Sequence, residues 1–200
     1  MAAVSEPLLW GLLGYVVFPL WLLAGLADYL CHSRTDLAHT SGVHESVLHL
    51  LQTAEIAVPA LVLLFLDVTA ATLALMVAGV AAHVFTSWRD LHYAARLRYI
   101  PPFEQYVHAF LIVLPLVALA IVAILHWPEV VAMADPAIAS DWSLRWRQPA
   151  FRIDRIIAVL AAALVFGVLP GLSEFINALM VAARAAQASR SSDRSSTKLP

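Results

Sequence analysis

Charge is the scarcest ingredient of this 200-residue chain. Asp, Glu, Lys and Arg make up 13% of it, about half the share of an ordinary soluble domain. A chain so poor in charge cannot cover a water-facing surface, so lipid has to be its solvent. Cysteine is nearly absent too. Cys31 stands alone, which excludes an intrachain disulfide and the Cys-based spacings of structural zinc. The formal charge of -2 argues against a nucleic-acid partner, which would call for a basic surface. No flavin or dinucleotide motif and no internal repeat is visible. The first apolar stretch has no basic residue before it and is too long for the core of a secretory signal, so it reads as a retained helix.

What is abundant is apolar length. Hydrophobic residues make up 62% of the chain, and the mean hydropathy is +0.81. Five segments, at about 8–32, 44–66, 68–95, 104–127 and 155–183, each have the roughly 20 residues needed to cross a bilayer. Backbone polar groups in lipid must pair within the segment, so these spans are expected to be helices. Pro19, Pro59, Pro115 and Pro170 fall inside four of them and mark expected kinks. The expected fold is an all-α integral membrane protein in which helices one to four form a bundle. Residues 1–183 form one transmembrane domain, and the Ser-rich, basic stretch 184–200 is expected to be a disordered tail.

The connections are unequal. Asp67 and its neighbours join spans two and three in a tight antiparallel hairpin. Pro101 and Pro102 end one helix and start the next. The stretch from Pro128 to Asp154 is the one sizeable extramembrane segment, with Trp142, Arg145, Trp146 and Arg147 as an expected interfacial anchor. One side of the membrane carries eight Lys and Arg, namely Arg34, Arg89, Arg96, Arg98, Arg184, Arg190, Arg194 and Lys198. The other carries four, Arg145, Arg147, Arg152 and Arg155. Positive charge gathers inside, so the tail is expected in the cytoplasm and the N-terminus outside, in a bacterial inner membrane.

Seven of the eight histidines lie between residues 32 and 108, and they come with acids. Asp28 and His32 are four apart, as are Glu45 and His49, and Glu104 and His108. His83 and Asp90 are seven apart. Such spacings stack side chains on one face of a helix. With the expected topology, all four pairs reach the same membrane face, and Asp28, His49, Asp90 and His108 share one depth. Glu55 and His83 lie deeper and are expected to approach each other across the hairpin as a possible relay. Gln52, Thr86 and Ser87 fill the space between. Each charge buried in a bilayer costs about 2.5–3.5 kcal/mol on insertion scales, so such groups pair, bind metal or carry protons. Histidine and carboxylate ligands converging from several helices suit a di-metal site, and without thiolate they favour iron, manganese or zinc.

Taken singly, each pair also has a plain reading, because acids favour helix starts. His39 and His44 are compatible with a solvated loop. His92 and His126 are expected at interfaces, and Cys31 at a helix end. Glu174 on the fifth span has no expected role beyond a contact with Asn177.

The segments D-x3-H (Asp28, His32), H-x4-H-E-x3-H (His39, His44, Glu45, His49) and E-Q-x2-H (Glu104, Gln105, His108) resemble the His boxes of the integral-membrane di-iron fatty acid hydroxylases and desaturases. The likeness spans residues 28–108 and is one of arrangement. The paired His-His boxes of that family are absent, so carboxylates would replace several of its ligands. The resemblance implies two metal ions, most readily iron, among Asp28, His32, Glu45, His49, His83, Asp90, Glu104 and His108. It implies oxidation of a lipid or other apolar substrate, with electrons from a separate donor. Two other readings stay open: a metal or proton transporter or channel, and a b-type haem protein with histidines from facing helices as axial ligands.

Overall fold

The computed structural model describes residues 5–196, with side chains through Ser191. Six α-helices make up the fold among the described residues, with a short 3-10 turn at Leu37–His39. Helix α1 is Glu6–Arg34 and passes through a π turn at Leu13–Val17. Helix α2 is Gly42–Phe65, α3 is Ala70–Ala94 and α4 is Pro102–Leu125. Helix α5 is the short Trp127–Ala134. Helix α6 starts at Ile153, has a π turn at Leu164–Val168 and continues as Leu169–Ser196. All but α5 are long and apolar enough to cross a membrane. The helix thus runs on past residue 183, where a disordered tail was expected, and residues 197–200 lie outside the described residues.

The outward faces of the spans carry Leu23, Leu51, Val77, Phe85, Phe110 and Ile157, all exposed. In water this would be untenable, but hydrocarbon is the matching solvent. Inside, the bundle is divided along its length. At one end the core is apolar, built from Leu13, Val17, Val68, Leu73, Met76, Leu114, Ile121 and Val122. At the other end the buried groups are polar: Asp28, His32, Glu45, His83, Asp90, Arg98 and Glu104. The C-terminal ends of α1 and α3 and the N-terminal ends of α2 and α4 meet there.

Helices α2 and α3 make the tightest pair. Pro59 has no N–H to give the carbonyl of Glu55 one turn earlier, so that oxygen lacks its helical partner. Gly79 of α3 packs against this gap. A Cβ built on Gly79 would sit 2.8 Å from the Glu55 carbonyl oxygen and 2.6 Å from Pro59 Cγ. The bare Cα lets the two backbones approach, as small residues do between membrane helices. The turn between them is closed by a capping box in which Thr69 and Thr72 each accept from the other's backbone N–H.

The segment after α5 folds back onto that turn. Arg145 donates to Asp67 at 3.0 Å, Gln148 N–H donates to the other Asp67 oxygen at 3.1 Å, and Leu66 and Trp146 form an isolated antiparallel bridge. The Gln148 N–H and the Arg145 guanidinium hold the Asp67 carboxyl below its ordinary range. Arg147 reaches the Leu63 carbonyl and lies over the Phe151 ring. Trp142 and Trp146 remain exposed at this end.

Gly79→Ala forces a methyl group into backbone and proline-ring atoms that cannot rotate away. Overpacking of this kind costs about 1–3 kcal/mol. The variant is expected to unfold at a lower temperature than the parent in the same detergent, whereas Gly14→Ala, whose Cβ meets nothing within 4 Å, should match the parent. Equal stability of the Gly79 and Gly14 variants would show that the α2–α3 contact is looser than described.

Candidate metal centre

Helical spacing brings the acid and histidine of each pair onto the inner face, and the ends of α1 to α4 bring the pairs together. His108 Nε2 lies 3.0 Å from Asp28 Oδ1. His32 Nε2 lies 3.5 Å from the same oxygen and 3.4 Å from Glu104 Oε1. His49 Nε2 lies 3.2 Å from Asp90 Oδ2 and 3.9 Å from Glu45 Oε1. Asp28 thus meets His108, and Asp90 meets His49.

The fifth span completes the site. Glu174 of α6 accepts from His32 Nδ1 at 2.8 Å through one oxygen and from His49 Nδ1 at 2.7 Å through the other. The two imidazoles stack, with centroids 4.5 Å apart and planes 9° from parallel. One carboxylate therefore holds the Nδ1 side of both rings and sets their direction, and both Nε2 atoms face the carboxylates of α1 to α4, that of His49 within hydrogen-bond distance of Asp90 Oδ2. This is the arrangement that orients metal-binding histidines, in which the far ring N–H is held by a carboxylate. Glu174 was expected only to contact Asn177, so its role here is a correction. It is the one acid in the 155–183 span, and the cost of placing a carboxylate there was the available signal.

Arg98, from the loop between α3 and α4, is the second group that spacing did not reveal. It was counted only as a basic residue at the membrane surface, yet it is 9% exposed. Its guanidinium donates to both oxygens of Glu45 and, through Nη2, to Glu104 Oε1. Burial alone would make it a weaker base, but the bonds to Glu45 and Glu104 outweigh this and raise its pKa.

The other candidates sit elsewhere. His83 faces two backbone carbonyls, Gln52 O at 3.3 Å and Leu111 O at 3.2 Å, and lies outside both groups of converging ligand atoms. Glu55 and His83 were expected to approach each other. The Glu55 carboxylate accepts from Thr86 at 2.7 Å, and no ion pair joins it to His83 among the described residues. Gln52 links the two levels, donating to Asp90 and accepting from Ser87. His39 is exposed and bonded to Asp36, His44 packs on Tyr93, and His92 bonds the Trp88 carbonyl. His126 lies at the opposite end, edge-on to Trp10.

Two sets of ligand atoms each lie within 4.8 Å of one another: Asp28, His32, Glu104 and His108, and His32, Glu45 and His49. This cluster could hold a metal ion. The donor atoms fit one. Asp28 Oδ1, His32 Nε2, Glu104 Oε2 and His108 Nε2 are buried without a hydrogen-bond partner, as is Asp90 Oδ1. His108 Nε2 and His32 Nε2 approach Asp28 Oδ1 to 3.0 and 3.5 Å yet are not aligned with it as donor and acceptor. Lone pairs converging on a common point suit a cation, whereas buried polar atoms left without one are costly. Comparison with protein-family models, curated proteins and solved structures finds no match to this chain.

Glu174→Gln keeps the shape but cannot accept from two ring N–H groups at once. Loss of such an outer partner typically lowers metal affinity about 10–100-fold. Titration of the metal-stripped variant with ferrous and zinc ions should show that drop, with His126→Ala unchanged. An unaltered affinity in Glu174→Gln would remove this carboxylate from the site.

Proposed function

We propose that the chain is a membrane-embedded, metal-dependent oxidoreductase with two metal ions, most readily iron, acting on a lipid or other apolar substrate. One observation carries the metal reading: the unpartnered His32 Nε2, His108 Nε2 and Asp28 Oδ1 converge beside Glu104, with the Nδ1 side of His32 held by Glu174. Charge favours two ions. Asp28, Glu45, Asp90, Glu104 and Glu174 are five carboxylates, and the one guanidinium beside them, Arg98, bonds Glu45 and Glu104. With the imidazoles neutral, four negative charges remain, which is what two divalent cations supply. Neutralising them instead with imidazolium would place charged His32 and His49 face to face in a stack.

His32, Asp28, His108 and Glu104 would hold one ion. His49 with Asp90 and Glu45 would hold the other, the last still engaged by Arg98. Nitrogen and carboxylate ligands without thiolate suit iron or manganese, and such ions supply oxygen activation. In the proposed reaction a substrate C–H bond becomes C–OH with one oxygen atom of dioxygen, and the other leaves as water, with an electron pair and two protons from a separate donor. The chain's own part is to fix the imidazoles through Glu174 and to neutralise Glu45 and part of Glu104 through Arg98. By the eight-to-four basic count, the site faces the cytoplasm.

The other readings have less support. A transporter needs a path through the bundle, and the apolar core of Leu13, Val17, Leu73, Met76 and Ile121 fills the far half. A haem bound between axial histidines is hard to place where His32 and His49 are in contact.

The reading predicts that protein loaded anaerobically with ferrous ion consumes oxygen when given a reductant and a membrane-lipid extract. His108→Ala and Glu104→Gln should abolish the uptake, and His92→Ala should keep it. Uptake that is equal in all three, or zero in the iron-loaded parent, would contradict the oxidoreductase assignment.

A further inference from the structure

A cavity of about 80 Å³ adjoins the cluster inside the membrane-spanning part of the fold, between α1, α2 and α6. Its polar end is formed by Asp28, His32, His49 and Glu174. Its other walls include Trp21, Leu22 and Gly25 of α1 and Phe166, Gly167, Pro170 and Gly171 of α6. Two features make α6 yield space here. The π turn Leu164–Val168 breaks the regular ladder beside the cavity, as such turns often do at functional sites. Pro170 has no N–H for the carbonyl one turn before it, which loosens the same stretch. Glycine enlarges the opposite wall: a Cβ at Gly25 would meet nothing within 4 Å.

The cavity is more than an apolar gap, because Asp28 Oδ1 and His32 Nε2, on residues 9% and 3% exposed, have no hydrogen-bond partner at its polar end. Phe166, 41% exposed, stands where the cavity meets the outer, lipid-facing surface of α6.

The chemistry of the walls limits the occupant. No lysine or arginine lines the cavity, and the carboxylates at its end repel an anion. Beyond the polar end, Trp21 Nε1–H is the one buried wall group without a partner among the described residues, a donor that adds no charge. Gln52 bonds Asp90 and Ser87, and Thr53 donates to the His49 carbonyl. The volume is about half the roughly 150 Å³ of a cavity that takes a benzene ring, so the space suits the narrow end of a chain rather than fused rings. We infer that this cavity is the substrate site, and that it takes the uncharged end of an alkyl or isoprenoid chain entering from the bilayer past Phe166, with any charged headgroup left outside. Gly25 sets how deep the chain reaches. The inference deepens the proposed oxidation of an apolar substrate and rests on it for the chemistry, but the binding can be tested without turnover.

The experiment uses the full chain in phosphatidylcholine vesicles with a long-chain alcohol carrying a diazirine at its methyl end, and maps the photolabel by mass spectrometry. Metal content is measured on the same samples. Labelling is expected to concentrate on Trp21, Leu22 and Phe166 over the lipid-facing Leu23 and Leu51. Gly25→Leu, whose Cβ meets nothing within 4 Å, should cut that labelling at least tenfold at unchanged metal content. Phe166→Ala should keep the label in the cavity and admit a bulkier branched probe. Gly14→Leu, on a part of α1 away from the cavity, should behave as the parent. Equal labelling of cavity and lipid-facing residues, or labelling indifferent to Gly25→Leu, would overturn the site. A diazirine tagged at the carboxylate end of a fatty acid that labels the cavity as strongly as the alcohol would overturn the exclusion of charge. Cavity labelling in protein that binds no metal would uphold the site while refuting the metal centre.

Discussion

Buried negative charge governs this molecule. Glu45 and Glu104 are fully buried, and Asp28, Asp90 and Glu174 are nearly so. An ionised carboxylate in such surroundings carries a desolvation penalty of several kcal/mol, repaid only by close, well-placed partners. Every other feature of the polar end answers that demand. Arg98 reaches in from a loop to meet two carboxylates, three imidazoles line up beside the rest, and Gln52 donates to Asp90. These partners leave several oxygen and nitrogen atoms unmatched, and the unmatched atoms face one another.

The division of the bundle along its length follows from the same constraint. Charge can be concentrated at one end because the other end supplies ordinary apolar packing and because the loops at the far boundary are tied down separately, through Asp67, Arg145 and Gln148. Helix α6 has a special place. It packs mainly against α1 and α2 and buries little of its own surface, yet it supplies the carboxylate that aligns two rings. Its π turn and Pro170 open space next to that carboxylate. The helix that borders the cavity thus also carries the group that orients the ligands.

Much of this was legible in the sequence. Five spans follow from apolar length, and the gathering of Asp28, His32, Glu45, His49, Asp90, Glu104 and His108 follows from helical spacing combined with alternating topology. What escaped had physical causes. Glu174 has no histidine one turn away, so no local pattern ties it to a site on other helices. Arg98 sits six residues before Glu104 across a diproline, a separation that no helical rule covers. His83 shares a face with Asp90, but its height on α3 puts it against the Gln52 and Leu111 carbonyls, and only the packing of three helices decides that. The π turn at Leu164–Val168 has no sequence signature at all.

The central claim is that four uncompensated charges are met by two divalent ions. The most direct test is the metal content per chain of protein purified in detergent without chelator, determined by elemental analysis against a quantitative amino-acid assay. The account predicts close to two transition-metal ions per chain, with no Soret band in the optical spectrum. A metal-free protein that is nonetheless folded and stable would contradict it, since the carboxylates would then be neutralised by protons alone.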